Sequence, residues 1–96
     1  MSKREFCIMP PSEFYSTERF NGSHRHEVFY GSNRQKSIKY GLVVFLTPEM
    51  HNMSNKGVHF DRQFDMLLKK IAQKTTMEYY GWSLERFRNE FGKSYL

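Results

Sequence analysis

The longest apolar run in the chain, Leu42-Val43-Val44-Phe45-Leu46, constrains the fold more than any other feature. Five residues is the length of a strand, and far short of the roughly 18 that a membrane helix needs. Hydrophobicity on both faces predicts burial on both faces, so other parts of the chain must cover each side. Helix-start signals follow at once. Thr47 is a candidate N-cap, Pro48 suits the first helical position, and Glu49 favours the positive end of a helix dipole. A strand running Gly41 to Leu46 therefore leads into a short helix, with His51 about one turn in and Asn55-Lys56-Gly57 as its break.

Upstream, His26-Glu27-Val28-Phe29-Tyr30 is short, β-prone and alternating, and follows the turn signal Asn21-Gly22-Ser23. Between the two strands, Gly31 to Lys39 is polar and basic and is expected to be a loop, which makes an antiparallel pair the economical arrangement. Residues 1–23 hold Pro10, Pro11 and scattered aromatics without a strand or helix period, and are expected to be irregular. Downstream, Asp61 is a second candidate N-cap. Phe64, Leu67, Leu68, Ile71 and Ala72 recur at helical spacing toward Tyr80, with Gly81 as the stop. A final helix capped by Ser83 and stopped by Gly92 is expected to pack Leu84, Phe87 and Phe91. The whole is an α+β chain of 96 residues, expected to be a single domain divided as 1–23, 24–60 and 61–96.

Charge narrows the function classes. Fifteen Lys and Arg stand against ten Asp and Glu, a formal charge of +5 that attracts polyanions. Met-Ser-Lys-Arg-Glu is followed by no apolar signal region, and Cys7 has no second cysteine to pair with. These features predict a cytoplasmic protein that does not enter a membrane. No Gly-rich phosphate loop is present, and neither Ser37 nor Ser83 has the His and acid neighbours of a nucleophile. Phe64, Trp82, Phe87 and Phe91 read as core rather than as a stacking platform for bases.

All four histidines, His24, His26, His51 and His59, fall between residues 24 and 59. The expected strand, strand and helix can bring three imidazoles to one point, where they would suit a divalent metal; zinc, magnesium, manganese and nickel stay open. The alternative is a set of surface or hydrogen-bonded histidines with no common role. Arg34, Lys36 and Lys39 between the strands, with Arg25 beside them, are the candidate phosphate contacts.

The ordered segments Arg25-His26-Glu27-Val28-Phe29, Asn33-Arg34, Ser37 through Pro48, His51-Asn52 and Gly57-Val58-His59 resemble the HNH (ββα-metal) nucleases. More narrowly they resemble small HNH-like proteins of phages and prophages of Gram-positive bacteria, as does Tyr80-Gly81-Trp82-Ser83 with Phe87, Phe91-Gly92 and Tyr95-Leu96. The resemblance implies a ββα-metal core, one divalent ion held by His26, His51 and His59, and hydrolysis of DNA phosphodiesters. The family's general-base His is replaced by Glu27. Either Glu27 takes that role, or His26 is itself the base and another residue completes the metal shell. Gly41 stands about where the family carries its middle Asn, with Asn33 and Asn52 as substitutes. With Cys7 alone, the paired-cysteine zinc site of many relatives is expected to be absent.

Two other readings stay beside the nuclease. One is a catalytically weak or inert scaffold that binds DNA or a host or phage protein, as an anti-defence protein would. The other is a small structural protein without metal. A homodimer would present two sites.

Overall fold

The computed structural model describes residues 6–19, 21–48 and 62–96. In chain order the elements are β1 (His24–Glu27), a 3-10 turn (Gly31–Asn33), α1 (Arg34–Tyr40), β2 (Val43–Leu46), α2 (Arg62–Tyr80) and α3 (Leu84–Phe91). The architecture is small and mixed α+β. β1 and β2 pair antiparallel, with His24 opposite Leu46, Arg25 opposite Phe45, His26 opposite Val44 and Glu27 opposite Val43. Directly opposed residues share a face. His24, His26, Val44 and Leu46 therefore lie on one side of the sheet, and Arg25, Glu27, Val43 and Phe45 on the other.

The first side faces the core. Val44 and Leu46 pack there with Val28, Phe29 and Leu42, against Phe64, Leu68 and Ala72 of α2 and Phe87 and Phe91 of α3. Val43 and Phe45 on the second side are buried as well, so every residue of β2 is buried, as its two-sided hydrophobicity predicts, and Met9 and Tyr15 of the N-terminal segment join the core on the first side. Segment 6–19 is irregular apart from one bridge, in which Ser16 and Phe45 exchange N–H to carbonyl bonds of 3.0 and 2.8 Å. The Ile8 N–H donates to the Gly41 carbonyl at 2.9 Å, and the Cys7 thiol to the Val43 carbonyl at 3.0 Å. β2 is thus flanked on both edges.

The stretch Gly31 to Lys39, expected as a loop, is instead the 3-10 turn and most of α1. Its polar sequence hid the helix because only one narrow face is covered: Ser37 is fully buried, and Ile38 and Tyr40 are half-buried. The helix stops at Gly41, whose φ of +80° puts it in the left-handed region that glycine adopts without strain. The first strand also begins and ends earlier than its composition suggests. The Val28 N–H still reaches the Leu42 carbonyl at 3.0 Å, but the Phe29 N–H and carbonyl both bond to the Ser37 hydroxyl. That removes Phe29 from the ladder.

The two C-terminal helices lie where their apolar spacing places them, and Asp61, the expected cap of α2, lies outside the described residues. α2 buries Phe64, Leu68, Ala72 and Thr76 at four-residue spacing and ends at Tyr80, before Gly81. Leu67 flanks that stripe and is exposed. The Ser83 hydroxyl caps α3 by accepting from the Arg86 N–H at 3.1 Å. Phe87 and Phe91 are buried, but Leu84, expected beside them, is 44% exposed at the first turn. Phe29 is the hub of this region, with ring centroids 4.6 Å from Phe91, 5.7 Å from Phe87 and 5.1 Å from Tyr95. The C-terminal tail is held by buried Gln73, which donates to the Ser94 hydroxyl at 3.0 Å and accepts from the Tyr95 N–H at 2.6 Å. No described helix is long and apolar enough to cross a membrane.

Candidate functional site

Strand alternation sends the charged and imidazole side chains of β1 in two directions. His26 goes inward. It is 2% exposed, opposite Val44, and its ring centroid lies 5.9 Å from that of Tyr30. The Tyr30 hydroxyl donates to Asp65 Oδ2 at 3.1 Å, and Lys69 Nζ reaches the same oxygen at 3.0 Å while lying 4.3 Å above the Tyr30 ring. Burial, then the neighbouring Asp65 charge, pushes the Tyr30 hydroxyl above its ordinary pKa. Burial acts to lower the Lys69 ammonium, but hydrogen bonding and attraction to Asp65 outweigh it and leave Lys69 raised. Asp65 and Lys69 are largely sequestered here, while Tyr30 is 40% exposed.

Arg25 and Glu27 go outward. Glu27 Oε1 accepts from Arg34 Nε at 2.5 Å, and Oε2 lies 3.7 Å from Arg25 Nε. One carboxylate thus holds a guanidinium from its own strand and another from the first turn of α1. The helix that the sequence hides is what delivers Arg34. Arg19, from the N-terminal segment, lies 5.5 Å over the Phe45 ring on the same side of the sheet. Arg19, Ser23, His24, Arg25, Glu27 and Arg34 line a shallow open depression.

No protein-family model, curated protein or solved structure matches the chain.

The four basic residues singled out as phosphate contacts divide into two groups. Arg25 and Arg34 come together in the depression. Lys36 and Lys39 lie outside its lining: Lys36 Nζ donates to the Glu90 carbonyl of α3, and Lys39 Nζ lies 5.2 Å over the Tyr40 ring. The Glu90 carboxyl accepts from the Tyr40 hydroxyl at 2.7 Å. That bond, helped by the charges of Lys36, Arg86 and Lys39, holds Glu90 below the usual carboxylate range. Reading α1 as a loop treated all three of its basic residues as equivalent, whereas helical geometry turns Arg34 and Lys36 toward different neighbours. Arg19 was not a candidate at all. Its only signal in the sequence is a basic residue in a segment expected to be irregular.

Of the expected metal ligands, His26 belongs to the described residues, while His51 and His59 lie outside them, as does Asn52. Among the described residues, no three His, Cys, Asp or Glu side chains converge to hold a metal ion. The backbone is helical at Pro48, one residue beyond Thr47, which follows β2.

Proposed function

We propose that the chain is an HNH-type, metal-dependent DNA nuclease of phage origin. Its support is the order strand, antiparallel strand, helix start, with His26 buried on the inner face of β1 opposite Val44. In this reading a divalent ion held by His26, His51 and His59 stabilises charge on the leaving oxygen. Glu27 or His26 takes the proton of the attacking water. Arg25 and Arg34 bind the backbone phosphates of the DNA.

A second reading has its own observation. The Glu27 carboxylate is engaged by Arg34 at 2.5 Å and by Arg25 at 3.7 Å, an arrangement suited to organising guanidiniums rather than activating water. This favours a weak or inert HNH-like scaffold that binds DNA, or a host protein as an anti-defence protein would.

Supercoiled plasmid incubated with metal-stripped protein and separate additions of magnesium, manganese, nickel and zinc discriminates the two. Metal-dependent nicking that disappears in His51→Ala supports the nuclease. Absence of nicking with every ion, in protein with a cooperative thermal transition, removes it in favour of the binding scaffold.

A further inference from the structure

We infer that the depression formed by Arg19, Arg25 and Arg34 around Glu27 is a seat for one backbone phosphate of DNA, with Glu27 as the residue that positions two of the guanidiniums. The inference deepens the DNA-binding reading and rests on it. It adds Arg19 to the contact set, removes Lys36 and Lys39 from it, and gives Glu27 a non-catalytic role.

Three features carry the assignment. First, among the described residues the lining holds three guanidiniums against one carboxylate, a positive excess even with Glu27 ionised. Second, the arginines come from three separate places in the chain: the N-terminal segment, β1 and α1. Their convergence depends on the tertiary fold and not on a basic run. Third, the carboxylate is the sequestered member. The Glu27 side chain is 11% exposed, against 28% for Arg25 and 56% for Arg34. An incoming anion therefore meets guanidinium rather than carboxylate.

The chemistry of the cations selects an oxyanion. A guanidinium presents five N–H donors in a planar fork, and both Arg25 and Arg34 face Glu27 through Nε. Such forks take carboxylate and phosphate alike, and the DNA-binding reading on which the inference rests makes a backbone phosphate the ligand. Ser23 and His24 complete the lining beside them. Arg19 lies 5.5 Å over the Phe45 ring, a cation–π contact.

The test compares substitutions of equal charge. Binding of a fluorescent DNA duplex is measured by anisotropy over a series of salt concentrations, for wild type and for Arg19→Ala, Arg25→Ala, Arg34→Ala, Lys36→Ala and Lys39→Ala. Each arginine change is expected to reduce the slope of log affinity against log salt by about one. Each lysine change should leave it within error. Arg34→Lys, which keeps the charge but loses the fork, should weaken binding several-fold. Equal losses at all five positions would overturn the seat and leave DNA binding intact. No duplex binding by folded wild-type protein would overturn the DNA reading itself. A titration with inorganic phosphate, followed by NMR of the arginine Nε–H signals, should shift Arg25 and Arg34. Shifts with phosphate but no competition by it against duplex would overturn the backbone assignment. Displacement of duplex by poly-glutamate at the same charge concentration as phosphate would also overturn it, because it would show a carboxylate-binding surface.

Discussion

The Ser37 hydroxyl donates to the Phe29 carbonyl at 2.6 Å and accepts from the Phe29 N–H at 3.0 Å, so a single buried side chain satisfies both backbone groups of one residue. The Ser37 carbonyl in turn accepts from the Leu42 N–H at 2.7 Å. This residue joins the end of β1, the middle of α1 and the approach to β2. Ser37→Ala leaves two buried backbone groups without these bonds and is expected to cost about 2–4 kcal/mol. Urea unfolding measures it. A loss below about 1 kcal/mol would mean that Phe29 finds other partners.

A second prediction concerns Asp65 and Lys69, paired at 3.0 Å with side chains only 11% and 12% exposed. Asp65 Oδ1 is buried and has no hydrogen-bond partner among the described residues. Asp65→Ala strands the Lys69 ammonium beneath Tyr30 and should cost about 3 kcal/mol or more. The double change Asp65→Leu with Lys69→Met removes both charges and should recover most of that loss. A double variant as unstable as the single one would show that shape, not charge, is what the pair provides.

The contrast between α1 and the C-terminal helices shows what could be read from sequence. Ser83, Gly92 and the Phe87 and Phe91 spacing announce α3, and the apolar stripe of α2 announces its length. β2 was legible for the same reason, since five apolar residues have few alternatives. α1 lacked a stripe because Ser37 does the buried work by hydrogen bonding, which no hydropathy pattern registers. Gly41 was the available signal: as a C-terminal stop it marks a helix before it, but it was read as a strand residue standing in a catalytic position. The arginine depression was half visible. Arg25 and Arg34 are near in sequence, whereas Arg19 joins them only through pairing of the N-terminal segment with β2. His51, Asn52 and His59 lie outside the described residues, so the metal constellation rests on the sequence alone.

Alkaline pH should reveal the phenols whose pKa is raised. Burial, then the nearby Cys7 thiol, pushes Tyr15 up from 10.0 to about 12, and its hydroxyl donates to the Pro10 carbonyl at 2.5 Å. Tyr30 and Tyr80 are raised as well, chiefly by burial. A phenol with a raised folded pKa keeps its proton in the folded state after the unfolded chain has lost it. Its stabilising effect is complete below pH 10 and disappears as the pH rises toward 12. Lys69, also raised, acts in the same direction above its ordinary 10.5. Thermal unfolding followed from pH 8 to 12 is expected to show a falling Tm that begins near pH 10, with a shallower fall in Tyr15→Phe. A Tm independent of pH in this window, or an unchanged slope in the variant, would contradict the burial of these hydroxyls.

Gly41 and Gly81 separate two effects of adding a side chain. Both have positive φ, +80° and +67°, so alanine at either position is strained by about 1–2 kcal/mol. Around Gly81 a new Cβ meets nothing within 4 Å. At Gly41 it would lie 3.1 Å from the Ile8 backbone nitrogen, 3.2 Å from Ile8 Cγ2 and 3.0 Å from the Phe6 ring. The Ile8 N–H is the group that bonds to the Gly41 carbonyl, so relief requires the N-terminal segment to shift by a few tenths of an ångström against that bond. Gly41→Ala should therefore be more destabilising than Gly81→Ala by about 1–3 kcal/mol. Asparagine, which tolerates the left-handed region, should rescue position 81 and fail to rescue position 41. Urea unfolding of the four variants tests this, and equal losses at the two sites would mean that residues 6–9 do not press on the end of α1. The N-terminal segment also carries Arg19 to the depression on the outer face of β1. Gly41→Ala is accordingly expected to weaken duplex binding with the same loss of salt slope as Arg19→Ala, whereas Gly81→Ala leaves binding unchanged.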